Sequence, residues 1–519
     1  MGSSNINGIL SLISAILHQF SLYPLFMMSN IVPFMVSYLY HIQKESSLDN
    51  KSSLSQNDGY FIHPIMELSM SICCFFGGMV EHYLGPRLVI ILGAFSIGLG
   101  DFLFIVSKNI IIDFFINIFF GIGFAIAMTA AVKNASKYFP NKRGLVNAVA
   151  GGFGGNLGSS FFNFVIKLFV SKGDFPDNDD NDMYKKSTAQ NYKIFFFIHL
   201  GVVLGFGIIS SILLVPYEET NKASNIIETT NIKEDKEEKD IKEEKEDTEV
   251  KDNKEKKEDN EEKEDKEEKE EEEKNKNNSN INLDNEKNNE KYKNGLKIIL
   301  KNARIYRLLI IFLFTSFLQG FIFTVGFNYG TMDHGNKKSS IGGDEMSIIF
   351  TSTSLISSFI GPLFGLIYDN LGFKYTIIII DIISVINGCL ISITVRISVI
   401  FYGFSIILNG CLNGGAFSMI FPYVSKIYGF NYAGELYGFV VLSTGISTMM
   451  SASIYYMISS FSDDENNNDG AYLAIFLTGV VLNILAIILA FFEKDEPFSF
   501  DINENNDQNN QKLLNSQVI

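Results

Sequence analysis

The sequence lacks the short motifs that mark most enzymes and metal sites. Its 519 residues include four cysteines and six histidines, and no cysteine forms a CxxC pair or lies near a histidine at metal-ligand spacing. A Walker lysine pattern, HExxH and GxSxG are also absent. We therefore predict a chain that is not an enzyme, with no catalytic residues, no cofactor and no metal.

Charge is scarce outside two segments. Residues 231–280 contain 24 acidic and 14 basic residues, a net charge of −10, and residues 493–519 contain 6 acidic and 2 basic residues, a net charge of −4. These segments together carry −14 of the chain's formal net charge of −16, and they are too polar to form a hydrophobic core. The acidity therefore indicates disordered segments, and we expect no nucleic-acid partner.

What the chain does have is a series of apolar stretches. A helix crosses a bilayer with about 20 apolar residues, and twelve such spans occur in two groups of six. The first group comprises residues 9–39, 60–80, 87–107, 110–132, 144–170 and 192–215. The second group comprises residues 304–329, 345–368, 374–395, 398–422, 434–459 and 470–492. We predict an all-α membrane protein with twelve transmembrane helices, numbered here as spans 1 to 12.

The spans divide the chain into four predicted regions. These are a first six-helix bundle (1–215), a disordered acidic linker (216–303), a second six-helix bundle (304–492) and a disordered tail (493–519). Four Lys and Arg residues lie in KNASKYFPNKRG between spans 4 and 5, and six lie between Lys291 and Arg307. Positive charge marks the cytoplasmic side. We therefore expect both termini and the linker to be cytoplasmic, and we expect the plasma membrane to be the location.

The two groups of spans echo each other. GGMVEHYLGPR follows span 2, and GLIYDNLGFK follows span 8. YFPNKRGLVNAVAGGFGGNLG joins spans 4 and 5, and FPYVSKIYGFNYAGELYGFVVLSTG joins spans 10 and 11. Features that recur six spans apart indicate two parallel six-helix pseudo-repeats.

These turns resemble the signature of the major facilitator superfamily, in which a glycine, an acid, a second glycine and a basic residue form a tight turn between two helices. In the second half the residues are Gly365, Asp369, Gly372 and Lys374. In the first half Glu81, Gly85 and Arg87 fit with one extra residue, whereas alignment on Gly-Pro-Arg puts His82 in the position of the acid. The resemblance implies that the acid holds one state of a gate.

Within that superfamily, span 1 (SLYPLFMMSNIVPFMVSYL) and the YFPNKRG junction are similar to the oxalate/formate-antiporter and monocarboxylate-transporter branch, with the apicomplexan pantothenate transporters nearby. The resemblance implies a transporter that moves a monocarboxylate or a pantothenate-like organic acid by alternating access. Carriers of this branch hold the anion with a cation in span 8 or span 11, but neither span contains Lys or Arg here.

That difference leaves alternatives open. An amino-acid transporter of the same superfamily is one, and a membrane receptor or regulator that does not transport is another. The expected partners are a small organic solute, protons as a candidate coupling ion, and the lipid bilayer, and the expected state is a monomer.

Polar side chains in the middle of the spans are the candidates for binding the solute, because they are costly to expose to lipid. They are Gln19, Tyr23, Asn156, Gln319, Asn409 and Asn413. The alternative is that these groups hydrogen-bond between packed helices.

Ionisable residues inside spans are candidates for proton coupling. Glu67 and His18 lie on adjacent spans, which makes them the best placed. The competing expectation is that Glu67, Asp101 and His199 lie near the outer ends of their spans, where water reaches them.

The run AGGFGGNLGS at residues 150–159 would suggest a phosphate loop in a soluble protein. Because it lies within span 5, we interpret its GxxxG spacing as a helix contact surface.

Overall fold

The structure is a computed structural model of the chain. It describes residues 3–24, 28–46, 61–171, 183–217, 292–331, 343–460 and 469–498, together with residues 54, 59, 290 and 341. The predicted disorder of the linker and tail falls largely on residues 218–289 and 499–519, which lie outside the described residues. The linker and tail boundaries therefore remain predictions.

The first half contains spans 1 to 6. Span 1 consists of two helices, Ser3–Leu22 and Met28–Ser46. Spans 2 to 4 are the helices Ile62–Leu84, Pro86–Val106 and Ile110–Tyr138. Span 5 follows a short 3-10 turn, Pro140–Lys142, and alternates between α and π geometry in the segments Arg143–Asn147, Ala148–Gly155, Asn156–Val165 and Ile166–Ser171. Span 6 is Tyr192–Leu213, preceded by the short helix Lys186–Ala189.

The second half repeats this order. Span 7 is Ala303–Thr331, and spans 8 and 9 are continuous in the helix Gly343–Ile397, which bends at Gly372. Span 10 is Val399–Tyr428, a 3-10 turn follows at Phe430–Tyr432, and spans 11 and 12 are Ala433–Ser460 and Asp469–Ala490.

These helices agree with the predicted twelve spans. Within the described residues, nine helices are long and apolar enough to cross a membrane. One of the nine holds spans 8 and 9, and the helices of spans 1 and 5 are not among the nine. Span 1 is divided between two helices, and span 5 is divided into segments of ten residues or fewer. The predicted fold class, two six-helix pseudo-repeats, is confirmed.

The pseudo-repeat is visible at the ends of the helices. Gly85, between spans 2 and 3, has φ 75°, and Gly372, between spans 8 and 9, has φ 79°. Residues other than glycine rarely adopt this left-handed region, so both turns need glycine. Spans 4 and 10 both begin with a side-chain cap, in which Asn109 accepts from the backbone N–H of Ile111 and Ser398 accepts from that of Ile400. We call the end of the bundle that carries Gly85 and Gly372 the motif side.

Residues Met1–Pro216 and Ala303–Ile519 form one compact unit, and residues Tyr217–Asn302 form another. In the first unit each half has its own apolar core. Phe321, Tyr329 and Phe476 are fully or almost fully buried in the core of the second half, and Ala130 and Val89 are in the core of the first. In the second unit, residues 292–300 are helical.

The motif side of the second half is closed by a charged cluster at the end of span 12. The Glu493 carboxylate is fully buried and lies 3.2 Å from Arg304 Nε and 3.4 Å from Arg307 Nη1. Tyr423 donates its hydroxyl hydrogen to Glu493 Oε2 at 2.9 Å. The cluster therefore ties the end of span 12 to spans 7 and 10.

Replacing Glu493 by alanine should destabilise the protein, because Arg304 and Tyr423 would lose their shared acceptor and Arg307 would lose its ion-pair partner. Breaking a fully buried pair costs about 3–5 kcal/mol, and we expect the lower end because the arginines reach solvent. A lowered thermal unfolding midpoint of the purified protein in detergent would show this. Glu496→Ala is the matched control, since Glu496 is exposed and Arg304 contacts only its backbone oxygen. Equal midpoints for the two variants would contradict the role given to Glu493.

Candidate functional site

The two halves approach most closely where spans 2 and 11 pack against each other. A Cβ atom at Gly78 would lie 2.5 Å from the backbone nitrogen of Glu435, and one at Gly445 would lie 2.8 Å from the backbone oxygen of Glu67. Between these points, a Cβ atom at Gly438 would overlap the backbone of Cys74. The two backbones are therefore in near contact along several turns of both helices.

Spans 5 and 8 form the second contact between the halves. A Cβ atom at Gly365 would lie 2.6 Å from the backbone oxygen of Gly144, and Gly152 faces Gly361. Towards the opposite side, the Ser160 hydroxyl donates to the backbone oxygen of Thr351 at 3.4 Å. Contacts between the halves therefore exist at both ends of this pair of spans, and they are closest at the motif side.

A cavity lined by both polar and apolar residues lies between these two contacts. It encloses about 1200 Å³ of space free of protein atoms, including its open mouth. Its described lining comes from spans 1, 2, 4 and 5 of the first half and spans 7, 8, 10 and 11 of the second. Spans 3, 6, 9 and 12 contribute none of these residues.

Four of the six predicted solute-binding residues line this cavity. They are Gln19, Tyr23, Asn156 and Asn413. Gln19 Nε2 donates to the backbone oxygen of Met128 at 2.7 Å, which fixes its amide against span 4. Asn156 and Asn413 come from spans 5 and 10, so the two halves each present one amide to the cavity.

Gln319 and Asn409 lie elsewhere. Both are buried, and neither belongs to the cavity lining. Asn409 Nδ2 donates to the backbone oxygen of Gln319 at 3.4 Å, which joins span 10 to span 7. In this structure the pair serves helix packing, so a contact of these two residues with the solute stays a prediction.

The two proton-coupling candidates are also separated. Glu67 lines the cavity, whereas His18 is fully buried and outside the lining. Sequence reasoning missed His63, which lies in the lining with its Nε2 4.0 Å from Glu67 Oε1. The i, i+4 spacing of the two residues was the available signal, because it places them on one helix face.

The expectation that Asp101 and His199 reach water is wrong. Both side chains are fully buried, and His199 Nδ1 lies 2.9 Å from Asp101 Oδ1. His199 Nε2 lies 3.1 Å from the backbone oxygen of Ser21, one residue before the first helix of span 1 ends. Both ring nitrogens thus face oxygen atoms of the protein. Pairing between spans 3 and 6 replaces the water that each group would otherwise need.

In the second half the motif residues form a contact between the halves. Asp369 Oδ1 and Oδ2 accept the backbone N–H groups of Gly144 and Leu145 at 3.1 and 3.0 Å. These groups belong to the first turn of span 5, where backbone donors are otherwise unpaired and the helix dipole favours a negative charge. Lys374 Nζ donates to the backbone oxygen of Phe491 at 2.9 Å, within the second half.

In the first half the geometry shows which residue, Glu81 or His82, occupies the position of the acid in the motif. Gly85 has the same left-handed turn as Gly372, and Gly78 packs on the start of span 11 as Gly365 packs on span 5. His82, four residues after Gly78, therefore occupies the position of the acid, and it is exposed. Glu81 is instead buried and pairs with Lys133 of span 4 at 3.4 Å.

Arg87 occupies the position of Lys374 in the first half. Its Nε donates to the backbone oxygen of Leu214 at 3.0 Å. Span 3 is thereby joined to the end of span 6. Both basic residues of the motifs therefore make contacts inside their own half of the protein.

The glycine run is confirmed as a helix contact surface. Cβ atoms at Gly154 and Gly158 would overlap the backbone of span 1, at Ile16 and Phe20. One at Gly155 would overlap the ring of Tyr23, which itself lines the cavity. The run therefore lets span 5 pack directly against the helix that carries the predicted solute ligands.

The lining is rich in hydroxyls whose hydrogens are already committed. Among the described lining residues there is no Lys or Arg, and Glu67 is the carboxylate. Several hydroxyl groups donate to backbone oxygens and so present acceptor lone pairs to the cavity. They are Ser159, Thr353, Ser354, Ser418, Thr444 and Thr448.

Comparison with known proteins identifies one family. The model of the Major Facilitator Superfamily matches residues 25–452 and 333–515. Among solved structures, the chain is similar to the MFS proton:xylose symporter XylE bound to 6-bromo-6-deoxy-D-glucose. The identity is 11%, the TM-score is 0.54, and the match covers 94% of this chain and 95% of that chain. At this identity the likeness shows the fold alone. The comparison with curated proteins gives no match.

Replacing Asp101 by asparagine should destabilise the first half, because it removes the buried carboxylate that faces His199 Nδ1. The expected cost is about 3 kcal/mol, measured as the loss of thermal stability in detergent. Asp113→Asn is the control, since Asp113 is buried but has no ion-pair partner among the described residues. In the double variant Asp101→Leu/His199→Leu the loss should be smaller than the sum of the single Leu losses. Additive losses would show that the two side chains do not act as a pair.

Proposed function

The chain belongs to the major facilitator superfamily, and we propose that its cargo is a small organic solute without net negative charge, with amino acids as the first candidate class. The protein is a multi-pass membrane transporter that works by alternating access between its two six-helix halves. The cavity lining carries the proposal about the cargo. Within the described residues it contains one carboxylate and many acceptors but no Lys or Arg. An anion in such a cavity would lose its hydration without gaining a cation.

Organic acids remain the second candidate class. The residues of span 1 and of the YFPNKRG junction are similar to the monocarboxylate and oxalate/formate branch, which favours a monocarboxylate or a pantothenate-like acid. Asn156 and Asn413 offer amide donors that a carboxylate could use. Neither comparison distinguishes this branch from others in the superfamily.

We also propose a gate at the motif side. Asp369 caps the first turn of span 5 across the interface between the halves, and the glycine contacts of spans 2 and 11 and of spans 5 and 8 bring the backbones together there. These contacts favour a state that is closed at the motif side. Opening that side requires the carboxylate to leave the helix end.

The cellular setting is part of the proposal. Lys and Arg are concentrated in the junction before span 5 and at the entry to span 7, and this distribution supports a cytoplasmic motif side. We propose a monomer in the plasma membrane with cytoplasmic termini. Glu67 is the candidate for proton coupling in the cavity, because the second candidate, His18, lies outside the lining.

Uptake of labelled solutes into oocytes tests the proposal. The panel should contain amino acids, lactate, pantothenate and sugars, each measured at two pH values against uninjected cells. We expect uptake of one or more amino acids, and a larger uptake at the lower pH if protons are coupled. Surface labelling provides the control for expression. A protein that reaches the surface and moves no solute would instead support the receptor or regulator alternative.

Asp369→Asn should lower the rate of uptake by about threefold or more. Asparagine has one acceptor oxygen and no charge, so it cannot cap two N–H groups, and loss of one charged hydrogen bond costs about 1.5–3 kcal/mol. Asn370→Ala is the matched control, because Asn370 is exposed and its side chain bonds only within its own helix. Rates should be compared at equal surface expression. Unchanged uptake in Asp369→Asn would remove the residue from the gate.

A further inference from the structure

The face of span 2 that carries His63 and Glu67 continues to Ser71, in steps of four residues. This face is directed at span 11. A Cβ atom at Gly445 would lie 2.8 Å from the backbone oxygen of Glu67 and 2.5 Å from the Ser71 hydroxyl oxygen. Glu67 therefore enters the cavity beside the part of span 11 that contains Gly445.

The Glu67 carboxylate is incompletely satisfied by the protein. Its side chain is 15% exposed, and its Oε1 atom lies 4.0 Å from His63 Nε2, which is too long for a hydrogen bond. Its Oε2 atom is buried and accepts no hydrogen bond from any described residue. A carboxylate with a free buried oxygen inside a membrane protein is costly unless it receives a donor.

The neighbouring groups on span 11 are acceptors as well. Thr444 and Thr448 flank Gly445 and line the cavity. Their hydroxyl hydrogens are used by the backbone oxygens of Val441 and Thr444, at 2.8 and 3.0 Å. Each hydroxyl therefore presents lone pairs to the cavity. Around Gly445, the lining residues of spans 2 and 11 therefore include a carboxylate, two acceptor hydroxyls and the His63 ring.

A group that satisfies three acceptors must carry several hydrogen-bond donors and preferably a positive charge. An ammonium group has three donors and no acceptor, whereas a carboxylate or a sugar hydroxyl would bring further acceptors. We propose that Glu67, Thr444 and Thr448 form a subsite for the ammonium group of an amine-bearing solute. The inference rests on the proposed transport function and specifies the recognised group.

The opposite end of the solute meets different chemistry. Asn156 and Asn413 line the cavity from spans 5 and 10, and among the described residues no hydrogen bond uses either of their side-chain amide nitrogens. Two free amide donors suit the carboxylate of a zwitterion. The cavity thus presents a carboxylate with two acceptor hydroxyls at spans 2 and 11, and two amide groups that can donate at spans 5 and 10. This pair of features suits the two charged groups of an amino acid.

Matched sets of solutes test the subsite. For leucine, the set is L-leucine, 4-methylpentanoate without the amino group, and 3-methylbutylamine without the carboxylate. For lysine, it is L-lysine, Nα-acetyl-lysine and cadaverine. The purified full chain in detergent is assayed for thermal stabilisation by each solute, and proteoliposomes are assayed for uptake. We expect amine-bearing members to bind and the des-amino acid to fail.

Glu67→Gln should weaken binding of amine-bearing solutes at least tenfold, because it removes the charge with little change in shape. Thr448→Val should weaken it by a smaller factor, since it removes one acceptor at nearly constant volume. Glu67→Asp should retain part of the affinity. Glu345→Gln is the control, because Glu345 is exposed and outside the cavity lining.

Each outcome is distinguishable. If 4-methylpentanoate binds as well as L-leucine and Glu67→Gln affects both equally, the carboxylate serves a proton and not an ammonium group. The subsite is then overturned while transport stands. If Glu67→Gln leaves amine binding unchanged, the subsite is also overturned. If no member of the panel binds or moves, the proposed function fails together with the subsite.

Discussion

The structure depends on one constraint: inside a membrane, a polar group must find its partner within the protein. The described polar side chains meet this constraint in three places. Some pair inside one half, as Asp101 does with His199 and Glu81 does with Lys133. Others, including Glu493, join helix ends at the motif side. Others line the cavity, where a solute can supply what the protein does not.

The two halves of the pseudo-repeat resemble each other in backbone geometry but differ in the side chains of the motif. Both halves have a left-handed glycine in the same turn and a glycine packed on the start of the opposing helix. Only the second half places an acid where it can cap that helix, through Asp369. In the first half the equivalent residue is His82, and the nearby carboxylate of Glu81 is used inside the half. Spans 5 and 8 are therefore joined by hydrogen bonds to the Asp369 carboxylate, whereas spans 2 and 11 are joined by close packing of glycines.

The cavity brings together residues that are far apart in the chain. Its selectivity follows from which hydrogens are already used. Hydroxyls that donate to backbone oxygens can only accept hydrogen bonds from a solute. A lining of uncharged residues can therefore still prefer a solute that carries donors. Together with Glu67, the hydroxyls of span 11 give a region suited to a donor group of the solute, and the two asparagines offer amide donors to an acceptor group. The same physical argument makes a cavity without Lys or Arg unsuited to a simple anion.

Local patterns in the sequence determined the fold. Hydropathy fixed the twelve spans, glycines with flanking charges marked the turns, and the spacing of two motifs indicated the pseudo-repeat, because each of these signals depends on neighbours in the chain. Four of the six proposed solute ligands also followed from their depth in a span. The direction in which each side chain faces did not follow from the sequence. Depth alone cannot distinguish Asn413, which lines the cavity, from Asn409, one turn away, which packs against span 7. Nor can it reveal that Asp101 meets His199, 98 residues away. Those outcomes depend on how the helices rotate and pack, and only the tertiary structure decides them.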